Sequence, residues 1–164
     1  EPRGAAVDIL YRGSADGAPR PGDAFPPGAS PVVDVAAPER LDGLIHVFVV
    51  GGDGAAASLR PNAAIPEHAL AALGAVADGR RTLRAAWPAA EAGPERPALS
   101  LATPGVNLVA AVVATEPVYD ARIPLESYDE FGAALSRGLV AARRSGSVTA
   151  VAARLLRVEA AAGP

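Results

Sequence analysis

Apolar residues crowd the stretch from Leu44 to Val50, Leu-Ile-His-Val-Phe-Val-Val, and Gly51-Gly52-Asp53-Gly54 ends it. β-branched and aromatic residues closed by a Gly/Asp turn predict a hairpin, with the returning strand over residues 55–60. Further strands are predicted at 7–11, 32–35, 82–87, 98–102 and 106–115, separated by turns that carry Pro and Gly. Between 61 and 81 the spacing of Pro66, Glu67, Leu70, Leu73 and Val76 predicts a short helix ended by Asp78-Gly79. The C-terminal third changes period. Ser127 with Glu130 three residues on forms a capping-box pattern, and Tyr128, Phe131, Leu135, Leu139 and Ala142 then recur at helical spacing. This predicts a helix to about Arg144, stopped by Gly146 and followed by a last strand over 147–159. Gly132 and Gly138 each weaken that helix by about 1 kcal/mol relative to Ala, so its stability must come from docking the apolar stripe on a sheet.

The strands follow one another without helical crossovers, so the expected fold is mainly β: an antiparallel β-sandwich, immunoglobulin-like or transthyretin-like, with one C-terminal amphipathic helix and a final strand. At 164 residues one domain suffices. Residues 1–30, a strand followed by a Pro/Gly-rich loop, belong to the same domain as the sandwich over 31–159, and 160–164 form a frayed tail.

Composition narrows the chemistry. The chain has no Cys, which removes disulfides, Cys-containing zinc sites and thiol catalysis. Lysine is also missing, so every basic side chain is Arg, a bias that reads as a GC-rich bacterial coding sequence. A net charge of -3 offers no broad basic face to a phosphate backbone, which argues against a nucleic-acid partner. Arg80, Arg81, Arg84, Arg143 and Arg144 read as solvated edge and helix-end arginines. No run reaches the roughly 18 apolar residues of a membrane span. The absence of Met, including an initiator, leads us to expect a matured or excised piece of a longer product.

Candidate catalytic groups are sparse. No Gly-x-Ser-x-Gly elbow occurs. His46 lies inside an apolar strand and His68 in the expected short helix, neither with a partner at zinc-ligand spacing. A buried imidazole could act as base, ligand or pH switch beside a carboxylate, but the plainer reading of His46 is a strand histidine satisfied by a hydrogen bond. Asp8, Asp34, Asp42 and Asp53 read as turn and strand-flank residues. Trp87, the one tryptophan, is a candidate contact residue for a ligand, with packing as the plainer role.

The apolar strand at Leu44–Val50, the Gly-Asp-Gly turn, Leu59-Arg60-Pro61-Asn62 and Asp78-Gly79-Arg80 together resemble a bacterial domain of unknown function. That family stands C-terminal to caspase-like peptidase or Ser/Thr kinase modules. Its pattern couples an apolar strand, a glycine turn and a Leu-Phe-Pro-Asn-like motif, and Arg60 stands here in place of the aromatic. Residues 105–118, with their Thr115-Glu116-Pro117-Val118 exit, are similar to its penultimate strand, and the resemblance covers roughly residues 31–159. It implies a non-catalytic recognition or assembly module, the C-terminal accessory domain of a larger bacterial protein, with a protein partner or attached enzyme module and no cofactor. A recognition role would be marked by an exposed groove near Arg60, Pro61 and Asn62, with Trp87 as a separate candidate contact residue, and the family's often exported members point to a bacterial periplasm or cell envelope. The alternative is a small hydrolase with a dispersed site at His46 or His68, which requires one of them to meet a carboxylate in an open pocket.

Overall fold

The computed structural model describes residues 7–124 and 127–160. In chain order its strands are β1 (Asp8–Arg12), β2 (Pro19–Arg20), β3 (Ala24–Phe25), β4 (Val32–Pro38), β5 (Leu44–Val50), β6 (Ala56–Arg60), β7 (Ala75–Ala77), β8 (Arg80–Ala86), β9 (Gly105–Ala114) and β10 (Val148–Val158). One α-helix, α1 (Tyr128–Ser145), lies between β9 and β10. Two five-stranded sheets result, ordered β2-β1-β4-β8-β7 and β3-β10-β9-β5-β6. The pairing is antiparallel throughout except for the short parallel contact of β3 with β10.

Strand alternation sorts the side chains into two cores. Ile9, Tyr11, Val33, Val35 and Leu83 of the first sheet meet Ile45, Val47, Val109, Ala111, Val113 and Leu156 of the second. On the other face of the second sheet, Phe48, Ala56, Ala110 and Val112 pack with Phe131, Leu135 and Ala142 of α1. The molecule is therefore a mainly β sandwich with a helix as a third layer. That layer explains why β5 and β9 are apolar on both faces, as a doubly covered strand must be.

The helix ends on Gly146 in the left-handed region at φ 70°, with its N–H on the carbonyls at the last turn and Arg143 and Arg144 in that turn. At the other end the structure departs from the capping-box pattern. Ser127 occupies the N-cap position, but its side chain makes no capping bond, and its carbonyl accepts from Phe131 N–H at 2.8 Å.

Two expected elements are corrected. In place of a helix over 66–76 there is a single 3-10 turn, Leu70–Ala72, followed by β7. Asp78-Gly79 does not end a helix: it is the two-residue turn of the β7–β8 hairpin, with φ of 53° and 74°. Two consecutive positive φ values are what a tight hairpin with the native twist demands, and Asp-Gly supplies them. The apolar spacing at Leu70, Leu73 and Val76 fits one helix face only by coincidence, since Leu70 is buried and Val76 is exposed on the edge strand. The predicted strand at 98–102 reduces to one bridge, Ala29 to Leu101.

The Pro/Gly-rich segment after β1 is held by arginines rather than by periodic apolar residues. Asp34, mid-strand in β4 and buried, pairs with Arg12 at 2.8 Å and Arg84 at 2.9 Å. The two guanidinium groups reach on to the carbonyls of Gly17 and Ala15. Arg154 lies over the Tyr11 ring and donates to the carbonyls of Arg20, Pro21 and Gly22. Asp34 is thus the centre of a buried charge cluster, not a strand-flank residue, and Arg84 is one of its partners rather than a solvated edge cation.

Candidate functional site

The two histidines do come together. β5 places His46 on the helix-facing side of the second sheet, fully buried, and the segment before the 3-10 turn brings His68 against it with ring centroids 5.2 Å apart. Tyr119, from the connection between β9 and α1, stands edge-on to His46 at 5.1 Å and to Phe131 at 4.8 Å.

The hydrogen bonds fix the His46 tautomer. Val118 N–H donates to its Nε2 at 3.0 Å, so that nitrogen carries the lone pair and Nδ1 carries the proton, directed at the Val112 carbonyl 3.3 Å away. Burial lowers its pKa to about 4, and the neighbouring His68 acts in the same direction. The ring is neutral near pH 7 with both nitrogens engaged by backbone. His68 gives its Nδ1 proton to the Pro66 carbonyl at 2.9 Å, and its Nε2, shielded from solvent, makes no hydrogen bond. The partners of these ring nitrogens are backbone groups, not the carboxylates that a hydrolytic base would use.

Beside them, the Tyr119 hydroxyl lies 2.6 Å from Ser58 Oγ, which donates to the Pro61 carbonyl at 2.6 Å. Burial raises the Tyr119 pKa, which keeps the phenol protonated as a donor.

The predicted contact residues divide. Arg60, Pro61 and Asn62 form one turn, with a cis peptide between Arg60 and Pro61. Pro61 and Asn62 are buried. Asn62 Oδ1 accepts from Ala64 and Ile65 N–H and its amide donates to the Leu59 carbonyl, so its polar groups hold the turn. Arg60 is half-buried and donates to the Glu67 carbonyl at 2.8 Å. Trp87 is half-buried and follows β8 on the other sheet, its backbone N–H on the Pro97 carbonyl. Among the described residues no three His, Asp or Glu gather as a metal ion would require, and no helix is long and apolar enough to cross a membrane.

A surface that the strand patterns did not single out is more open. Helix α1 covers only part of the outer face of the second sheet. On the uncovered part, Val106 and Leu108 of β9 and Val151 and Leu155 of β10 are 48%, 36%, 61% and 46% exposed. Leu155 is the direct cross-strand partner of Leu108, so these side chains adjoin. The edge of β10 beside them is also open. β3 pairs only with Arg157 and Val158, and Tyr11 Oη donates to the carbonyls of Arg154 and Leu155. On the side away from β9, no strand among the described residues runs alongside β10 from Val148 to Ala153. The segment Thr149-Ala150-Val151-Ala152-Ala153 carries neither charge nor Pro, the usual guards of a free edge. Alanine at alternate positions of β10 hides the contrast between its faces, which is why this surface gave no sequence signal. No protein-family model matches the chain, and neither does any curated protein or solved structure.

Proposed function

We propose that this domain is a non-catalytic recognition or assembly module. Its contact surface is the uncovered outer face around Leu108, Val151 and Leu155 together with the free edge of β10. The observation that carries the reading is the coincidence of an unguarded strand edge with adjoining exposed apolar side chains. An edge offers backbone hydrogen bonds to an incoming extended segment, and the apolar neighbours supply the area to be buried. The histidine cluster supports the same reading, since its groups are directed at backbone and brace the fold. As the accessory domain of a larger bacterial protein in the periplasm or cell envelope, such a module docks a protein partner or the enzyme module attached to it.

Site-specific photo-crosslinking in the native protein, in its own cells, tests the proposal. A benzophenone side chain at position 151 or 155 is expected to trap one defined polypeptide, or to form an internal crosslink to a neighbouring module, whereas the same group at exposed Val76 on the other sheet does not. Equal labelling from all three positions, or none from 151 and 155, contradicts it.

A further inference from the structure

Among the described residues, Val118 and Tyr119 tie the connection between β9 and α1 to the sheet by hydrogen bonds to His46, Ser58 and Arg60, and the most buried of these partners is the histidine. Val118 N–H donates to His46 Nε2. The Val118 carbonyl lies against Gly138 in the middle of α1. The next residue, Tyr119, packs its ring between His46 and Phe131, the innermost residue of the helix. Two short paths thus lead from the imidazole to the helix: His46–Val118–Gly138 and His46–Tyr119–Phe131.

We propose that His46 is a proton-sensitive latch that holds α1 on the second sheet. Acid releases the helix and uncovers the apolar face of Phe48, Ala110 and Val112 while the two-sheet sandwich persists.

The physical step is a conflict of donors. When Nε2 gains a proton, it turns an N–H toward the N–H of Val118, and the bond becomes a repulsion. The cation that forms is fully enclosed, with backbone carbonyls of Val112 and Leu44 and no carboxylate to offset it, and an enclosed charge without a counter-ion is costly. The groups around it do not relieve that cost. β9 presents a carbonyl. The 66–69 segment presents His68, which disfavours a charge on His46, with the Glu67 carboxylate turned to Ala69 N–H. The β9–α1 connection presents neutral Tyr119, with exposed Glu116 two residues before Val118. β6 presents the Arg60 backbone carbonyl, which accepts from the Tyr119 hydroxyl, while the Arg60 guanidinium donates to the Glu67 carbonyl. The helix presents Phe131, while its Asp129 and Glu130 are exposed. The buried hydrophobic cluster between the sheets includes Tyr11, which stays protonated in acid, with the cation Arg154 over its ring, so proton uptake at His46 loads the helix layer rather than this cluster.

Hydrogen exchange resolved by residue tests the latch, with rates corrected for the intrinsic effect of pH. Between pH 7 and pH 4, protection of the α1 amides from Phe131 to Ala142 should fall by at least about tenfold, while β4 amides at Val33 and Val35 keep theirs. His46→Gln, whose side chain can accept from Val118 but does not titrate, should remove the pH dependence, and His68→Gln should retain it. In the unaltered protein, the His46 Nε2 resonance should change with the same midpoint as the loss of α1 protection, a readout that needs no variant to fold. The proposal is overturned by pH-independent α1 protection, by loss of helix and sandwich together, by persistence of the response in His46→Gln, or by its disappearance in His68→Gln.

Discussion

The Gly138 α-carbon in α1 approaches the Val118 backbone carbonyl so closely that an added Cβ would overlap the oxygen. A glycine in mid-helix is normally a weak point. Here it lets the helix reach the connection that carries Val118 and Tyr119.

Substitution of the two helix glycines should therefore give opposite signs. Gly138→Ala gains about 1 kcal/mol of helix propensity but forces backbone apart, and overpacking of this kind costs about 1 to 3 kcal/mol, so a net destabilisation is expected. At Gly132 the nearest atom to an added Cβ is Ala56 Cβ at 4.0 Å, an ordinary contact, and Gly132→Ala should stabilise by about 0.5 to 1 kcal/mol. Urea unfolding of the two variants checks the pair.

The start of the same helix makes a second contrast. Because the Ser127 side chain makes no capping bond, Ser127→Ala should change stability by less than about 0.5 kcal/mol. Leu135 is buried between the helix and the sheet, and Leu135→Ala should cost about 2 to 5 kcal/mol. Comparable small losses for both would mean that the helix is not docked.

Acid stability follows from His46. Its folded pKa is depressed to about 4 from 6.5, so its contribution is fully present above pH 6.5 and is lost as pH falls toward 4. The protein should lose about 2 kcal/mol by pH 5 and about 3 kcal/mol in all from this group. Urea midpoints measured from pH 7.5 to pH 4 should fall accordingly in the native protein, and that component should be missing in His46→Gln.

Asp34 should be the most sensitive carboxylate. Asp34→Asn leaves Arg12 and Arg84 facing a neutral amide and frees the loop at Ala15 and Gly17. A loss of about 3 kcal/mol is expected, the lower end for a broken buried pair because both arginines retain contact with water. Chemical denaturation measures the loss, and faster proteolysis within 13–18 would show the freed loop.

Much of the architecture was legible because it rests on local chemistry. The β5 strand, its glycine turn, the helix over 128–145 and its stop at Gly146 each follow from period and from residues that tolerate positive φ. What escaped lacks a local signature. The spacing of Leu70, Leu73 and Val76 imitates a helix, and only pairing with β8 decides that Val76 is on a strand. Asp34 and its arginines are separated by 22 and 50 positions, so nothing in the linear pattern joins them. The histidine cluster was half visible: His46 stood out in its apolar strand, but Tyr119 and Ser58 are brought to it by the connection after β9 and by β6. The turn at Arg60, Pro61 and Asn62 was noticed as a motif, and the structure assigns Asn62 to holding the turn itself.

The contact surface is tested most directly by amide exchange along β10. Backbone N–H groups alternate sides along a strand, and Arg157 N–H points to the Asp23 carbonyl, so those of Val151 and Ala153 point to the free edge. In the isolated domain these two amides should exchange rapidly, while the alternate Ala152 and Leu156, directed at β9, are protected. In the native protein purified with whatever it is bound or joined to, Val151 and Ala153 should gain protection of at least about tenfold. Unchanged exchange at both positions would contradict the assignment of this edge as the surface through which the domain acts.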